Sequence, residues 1–339
     1  MLGRHPSLNA VMTLMVDDAP KSKEENSVSD QSIRASSRPM STRPRRNLWL
    51  VWAMTIVATL AFVACTGTPS ASTAATAAPS RAPSAPGAAV QDLEIKATEF
   101  AFQAPSSIPA GPTRVTLSNA GKEEHQAQIA GINAGSTFQD LTAALQGPDE
   151  SAALALVTLA GGPTGVQPGE SRATTSSLKA GQYVLLCFIR GADGIPHLAK
   201  GMIAPIEVTE PASTGTVPAG DASLTLQDFA FVGLETLSVG PHQVSVTNKG
   251  PQPHEATIVR LADGVKAGDL AAMFTSTEAP SGPPPFTTAG GVAGIAPGET
   301  ISMDVDLPAG NYAFLCFIPD PASGAPHAAL GMIGALTIK

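Results

Sequence analysis

The chain has 339 residues, of which 14% are charged and 4% aromatic, with 32 Gly and 30 Pro. That length accommodates about two domains of ordinary size, and so much Gly and Pro excludes an architecture of long helices. The formal charge of −8 argues against nucleic acid as a partner, since an acidic body repels phosphates.

Residues 1–39 are polar and carry no periodic apolar pattern. They read as a disordered extension, or as residues ahead of a true start at Met40. From Met40 the chain resembles a lipoprotein signal peptide spanning 40–65. Arg43, Arg45 and Arg46 form a basic head, and Leu48 to Ala64 is an apolar run of 17 residues. The run ends Phe62-Val63-Ala64-Cys65, which resembles a bacterial lipobox and makes Cys65 the expected lipidation site. The other reading is an uncleaved anchor, for which 17 residues is at the short end of the spanning range. Residues 66–90 are mostly Ala, Ser, Thr, Pro and Gly, a composition that cannot bury a core and is expected to act as a disordered tether. Signal, lipid and tether together predict an extracytoplasmic protein held at the bacterial membrane, on the cell surface or in the periplasm.

Beyond residue 90 the sequence repeats at an offset of 129. Asn119-Ala-Gly121 matches Asn248-Lys-Gly250, Pro168-Gly169-Glu170 matches Pro297-Gly298-Glu299, and Gly181-Gln-Tyr183 matches Gly310-Asn-Tyr312. Units this long are tandem domains, since solenoid repeats are much shorter. We expect one domain over 91–210, a linker over 211–220 and a second domain over 221–339. Within each, segments such as Leu93–Phe100, Arg114–Ser118, Gln243–Thr247 and Ile301–Leu307 alternate apolar and polar residues with a period of two. That period predicts half-buried strands in an all-β fold, two antiparallel β-sandwiches in tandem. Ser136 to Leu145 reads instead as a capped helix, with a helical counterpart near Asp269–Phe274. Tyr183 and Tyr312 are expected to form tyrosine corners.

The repeat also duplicates a set of chemical groups. His125, Cys187, His197 and Met202 in the first copy match His254, Cys316, His327 and Met332 in the second, with a slip of one residue after the Cys. Two imidazoles, a thiolate and a thioether are the donors of a mononuclear electron-transfer copper site. Of the five His after Cys65, only His242 falls outside the pattern, and it reads as a surface residue.

The pattern Asn-x-Gly-x-x-x-His, then Gly-x-Tyr-x-x-x-Cys, then His-x-x-x-x-Met, resembles the cupredoxin (blue, type 1 copper) family once per repeat. The resemblance implies a Greek-key β-sandwich (cupredoxin-like) in each domain, with copper near one end. It implies that His125, Cys187 and His197 hold copper strongly with Met202 axial, and that His254, Cys316, His327 and Met332 do the same. One departure stands out. Nine residues separate Cys187 from His197 and ten separate Cys316 from His327, where the family usually has about two to four. A longer loop adds little closure cost but predicts looser control of the second imidazole, with Pro196 and Pro326 restoring stiffness.

These residues predict copper as cofactor and electron transfer to a redox partner the sequence does not identify. Copper storage or delivery, and a metal-free structural module, are the alternatives. A disulfide between Cys187 and Cys316 would have to reach across domains. Oxidase or reductase chemistry would need additional His, including His-x-His pairs that the chain lacks, so no enzymatic activity is expected.

Overall fold

The computed structural model describes residues 90–147, 150–210, 215–276 and 282–339. The signal, Cys65 and most of the tether lie outside the described residues, as do 211–214 of the linker.

Nine strands form the first sandwich: β1 Gln91–Thr98, β2 Ala101–Gln103, β3 Ser107–Pro109, β4 Gly111–Asn119, β5 Gln128–Ile132, β6 Val157–Leu159, β7 Ser171–Leu178, β8 Gly181–Leu186 and β9 Ile203–Thr209. Nine more form the second: β10 Ala222–Gln227, β11 Ala230–Val232, β12 Thr236–Leu237, β13 His242–Asn248, β14 His254–Leu261, β15 Phe286–Ile295, β16 Thr300–Val305, β17 Gly310–Leu315 and β18 Ile333–Ile338. The period-two segments therefore fold as the alternation requires. In β1, Leu93, Ile95 and Ala97 point into the core while Glu94 and Lys96 face out.

Each sandwich packs two sheets face to face. In the first, one sheet runs β2-β1-β4-β7 and the other β3-β9-β8-β5-β6. The pairs β1/β4 and β3/β9 are parallel and the rest antiparallel. The second sandwich repeats this plan, with β10/β13 and β12/β18 parallel. Leu93, Ile95, Val115, Leu117 and Ile129 fill the space between the first pair of sheets. Each such side chain contributes about 1.5–3 kcal/mol when fully buried.

The helical exceptions also fold as expected. Helix α1, Phe138–Leu145, starts at Thr137, whose hydroxyl accepts from Asp140 N–H while the Asp140 carboxylate accepts from Thr137 N–H. That reciprocal capping box satisfies two otherwise orphaned donors. A short α2, Glu150–Leu154, follows, and α3, Leu270–Thr275, is the counterpart of α1. The Tyr312 hydroxyl donates to Pro308 O at 2.9 Å, and the Tyr183 hydroxyl lies against the Lys179 backbone. Tyr312 thus bonds the backbone four residues upstream, and Tyr183 stands against the equivalent residue.

Sequence gave no sign of how closely the sandwiches join. β7 pairs antiparallel with β16, so that β2-β1-β4-β7 and β16-β13-β10-β11 become one eight-stranded sheet. On the other face, the chain after β6 lies along β15. Gly161 N–H donates to Gly294 O, Ala293 N–H to Gly162 O, and Ala296 N–H to Leu159 O, each at 2.9–3.0 Å. Arg114 and Asp304 add an ion pair at 2.5 Å, worth at most about 1 kcal/mol because both are partly exposed. The backbone ladder, rather than this pair, holds the two halves in register.

Candidate metal centres

Antiparallel pairing of β5 with β8, and of β14 with β17, brings the first His and the Cys of each repeat to the same end of its sandwich. His125 precedes β5 and Cys187 follows β8. His254 opens β14 and Cys316 follows β17. The second His then has to come back from the loop after the Cys.

It does so because that loop closes on itself. Arg190 bridges Pro196, Gly191 N–H donates to Ile195 O, and His197 N–H donates to Ile189 O at 2.8 Å. In the second repeat Pro319 bridges Pro326 and His327 N–H donates to Ile318 O at 2.9 Å. The surplus residues are thus set aside in a small hairpin arm whose base holds the His. The expected loss of control over the second imidazole is corrected by this pairing: the effective loop is short.

After the His, a 3-10 turn (His197–Lys200 or His327–Leu330) ends in a left-handed glycine, Gly201 at φ 102° or Gly331 at φ 105°. A glycine tolerates that backbone at little cost. The turn directs Met202 and Met332 back inward. Both are fully buried in the same core clusters as Cys187 and Cys316, and each donates its N–H to the carbonyl of its His at 2.9 Å.

The donor atoms converge. His125 Nδ1 and His197 Nδ1 are 3.1 Å apart, and Cys187 Sγ lies 4.0 and 3.5 Å from them. In the second repeat the Nδ1 atoms of His254 and His327 are 3.0 Å apart and Cys316 Sγ is 3.4 Å from His327 Nδ1. Within each group all donor atoms lie within 4.8 Å of one another, and all six residues are buried. Ligands sharing one ion at about 2.0–2.3 Å stand about 3–4 Å apart, so the spacing fits a single ion. Cys187 and Cys316 are free thiols, which removes the disulfide reading.

Outer partners fix which nitrogen faces inward. His197 Nε2–H donates to Glu123 Oε2 (2.9 Å), His254 Nε2–H to Asp228 Oδ1 (2.5 Å) and His327 Nε2–H to Gln252 Oε1 (3.0 Å). Carboxylate and amide oxygens can only accept, so the proton is held on Nε2 and the Nδ1 lone pair is left for a metal. His125 departs from this: its buried Nε2 has no hydrogen-bond partner and Glu99 stands 4.0 Å away.

The asparagine of each motif positions these partners. Asn119 Nδ2–H donates to Glu123 O and Val166 O, while its Oδ1 accepts from Gly121 N–H. Asn248 does the same with Gln252 O, Ile295 O and Gly250 N–H. The motif glycine leaves room: a Cβ on Gly250 would stand 2.4 Å from Asp228 Oδ1 and 2.7 Å from His254 Nε2.

Burial sets the protonation states. It pulls His125 down to about 4, aided by the neighbouring His197, and His327 down to about 4, aided by His254. His254 is lowered by burial too, with Asp228 opposing. These imidazoles are therefore neutral near pH 7. Burial pushes the Cys187 thiol up to about 12 and Cys316 well up. A thiolate is stable there only with a cation beside it. Two imidazoles and a soft thiol that needs a positive partner fit copper.

The sequence reading did not single out Glu99, Glu123, Asp228 or Gln252. Register could have found them, since Glu99 matches Asp228 and Glu123 matches Gln252 at the repeat offset. His242 joins neither group; it pairs with Asp221 at 2.7 Å.

A β-sandwich with two imidazoles and a thiol buried at one end defines a protein built to hold a soft metal ion. Each half of this chain has that form, and the fold is the cupredoxin fold, present twice. No family model and no curated protein matches the sequence. Among solved structures, the dithionite-reduced auracyanin of Roseiflexus castenholzii is 22% identical over 34% of this chain and 94% of its own, with a TM-score of 0.24. A multicopper oxidase is 13% identical over 74% of this chain and 89% of its own (TM-score 0.22). Copper nitrite reductase from Nitrosomonas europaea is 15% identical over 74% and 94% (TM-score 0.21). The expectation of no enzymatic activity is corrected here, because the structures whose likeness spans both sandwiches include an oxidase and a reductase.

Proposed function

We propose that the chain is a copper protein that passes electrons outside the cytoplasm, tethered to the membrane through lipid on Cys65. His125, Cys187 and His197 would hold one ion, with Met202 as a further donor, and His254, Cys316 and His327 would hold the other, with Met332. The observation that carries this reading is the donor triangle of each site, with the protons of His197, His254 and His327 held outward. Copper bound there supplies a one-electron couple.

The protein's part is to keep the donors still. The hairpin arm fixes the second His, the asparagine knot fixes the residue bonded to it in both repeats, and the sheets fix the Cys. Rigid donors keep reorganisation small when an electron arrives or leaves. The tether reading rests on the sequence; no helix among the described residues is long and apolar enough to cross a membrane.

Voltammetry of the copper-loaded chain tests the function. Reversible one-electron waves support electron transfer. A chain that binds Cu(I) tightly but loses the metal on oxidation would point to storage or delivery. Fractionation of cells expressing the chain, with and without Cys65→Ser, tests the tether: the variant should leave the membrane fraction.

A further inference from the structure

A cavity of about 490 Å³ lies where the two sandwiches meet. Phe188 and Phe317, the residues that follow Cys187 and Cys316, both line it. One space therefore stands a single residue away from each metal centre. Leu141 and Leu145 of α1, Leu186 and Phe286 give the rest of its wall an apolar character. The volume falls within the range of small-molecule sites, which are mostly apolar with a few polar groups.

The polar groups here are unusual for a core. Glu124 and Glu255 are both in the lining. Glu255 is only 8% exposed. Its Oε1 accepts from Phe317 N–H at 2.7 Å, and among the described residues its other oxygen has no donor. Among the described residues Glu124 uses Oε2 alone, which accepts from Gln167 and from Thr288 of the other sandwich. Each carboxyl thus keeps an oxygen without a donor at the edge of an apolar space. Neither oxygen is among the buried polar atoms that lack a partner, so each is open to a hydrogen brought by a molecule in the cavity.

Anions are disfavoured, since among the described residues the lining carries two carboxyl groups and one guanidinium, that of Arg190, whose Nη1–H already donates to Gly194 O. An organic cation would have to shed its full hydration in a largely apolar space. A neutral ring bearing hydroxyl groups meets both demands, with faces for the phenylalanines and O–H donors for the carboxyl oxygens. We propose that this cavity is a binding site for a hydroxylated aromatic molecule of the phenol or hydroquinone class. The site does not depend on the copper assignment, although its position beside both centres suits a molecule that gives up electrons.

The test is calorimetric titration of the full chain, copper-loaded and reduced with ascorbate, with hydroquinone and separately with toluene. Metal content is measured on the same sample, so that failure of the copper reading is seen apart from failure of this one. Hydroquinone should bind saturably, and about tenfold or more tighter than toluene, the worth of one good hydrogen bond to a charged or buried acceptor. Leu145→Trp from the first sandwich and Thr287→Trp from the second should each block the cavity and abolish binding. Two variants from different sandwiches guard against one failing to fold. Glu255→Gln should weaken hydroquinone binding while leaving toluene unchanged. Absence of saturable binding, equal affinity for the two rings, or full binding by both folded tryptophan variants would overturn the proposal.

Discussion

Glu123 and Gln252 stand at the same position of the two repeats, and each takes the outward proton of its second histidine. Glu123 holds His197 with a carboxylate, whereas Gln252 holds His327 with a neutral amide. The two centres are therefore alike in their donors and unlike in the charge behind the second histidine. A carboxylate there favours the more oxidised ion, because it makes the imidazole a stronger donor. Glu123→Gln should raise the potential of the first centre and Gln252→Glu should lower that of the second. Outer partners of this kind change metal affinity by about tenfold or more, which corresponds to about 60 mV for a one-electron couple. Spectroelectrochemistry of each variant reads the shift. Equal potentials in wild type and both variants would show that these bonds position the rings without tuning them.

The join between the sandwiches should be sensitive at Gly162. Its φ is +118°, and a Cβ would stand 1.9 Å from Ala127 O. Its carbonyl also accepts from Ala293 across the join. Gly162→Ala is expected to cost on the order of 3 kcal/mol or more. Gly298, at φ +81° with nothing within 4 Å of a Cβ, provides the contrast, where alanine should cost about 1 kcal/mol from backbone strain alone. Denaturant melts of both variants measure the difference.

Thiol chemistry should report burial. Cys187 and Cys316 have no exposed surface, and burial pushes both thiols above their ordinary range. In metal-free protein carrying Cys65→Ser, a disulfide reagent should modify them only as fast as the chain unfolds, and both at once in denaturant. A rapid reaction of either thiol under native conditions would mean that its site is open.

The ligands were legible in the sequence because His, Cys and Met are scarce and recur in register. The strands were legible because segments such as Leu93–Phe100 alternate cleanly. The arm was not. Nine or ten residues between Cys and His look like slack, and length does not reveal that Arg190 pairs with Pro196 across the base. The continuous sheet was equally hidden, since β7 is almost wholly polar, β16 alternates as an ordinary strand does, and their pairing spans more than a hundred residues. Glu123 and Gln252 are residue types that usually belong to solvated surface. Only their place behind a buried ring gives them a role.

Metal stoichiometry in the cysteine variants tests the account most directly. The chain loaded with Cu(II) and desalted should retain two copper ions and show an intense thiolate-to-copper absorption band. Cys187→Ser and Cys316→Ser should each retain one strongly absorbing centre, and the double variant neither band nor tightly held copper. Two tightly bound ions in the double variant, or a colourless wild type that keeps none, would contradict it.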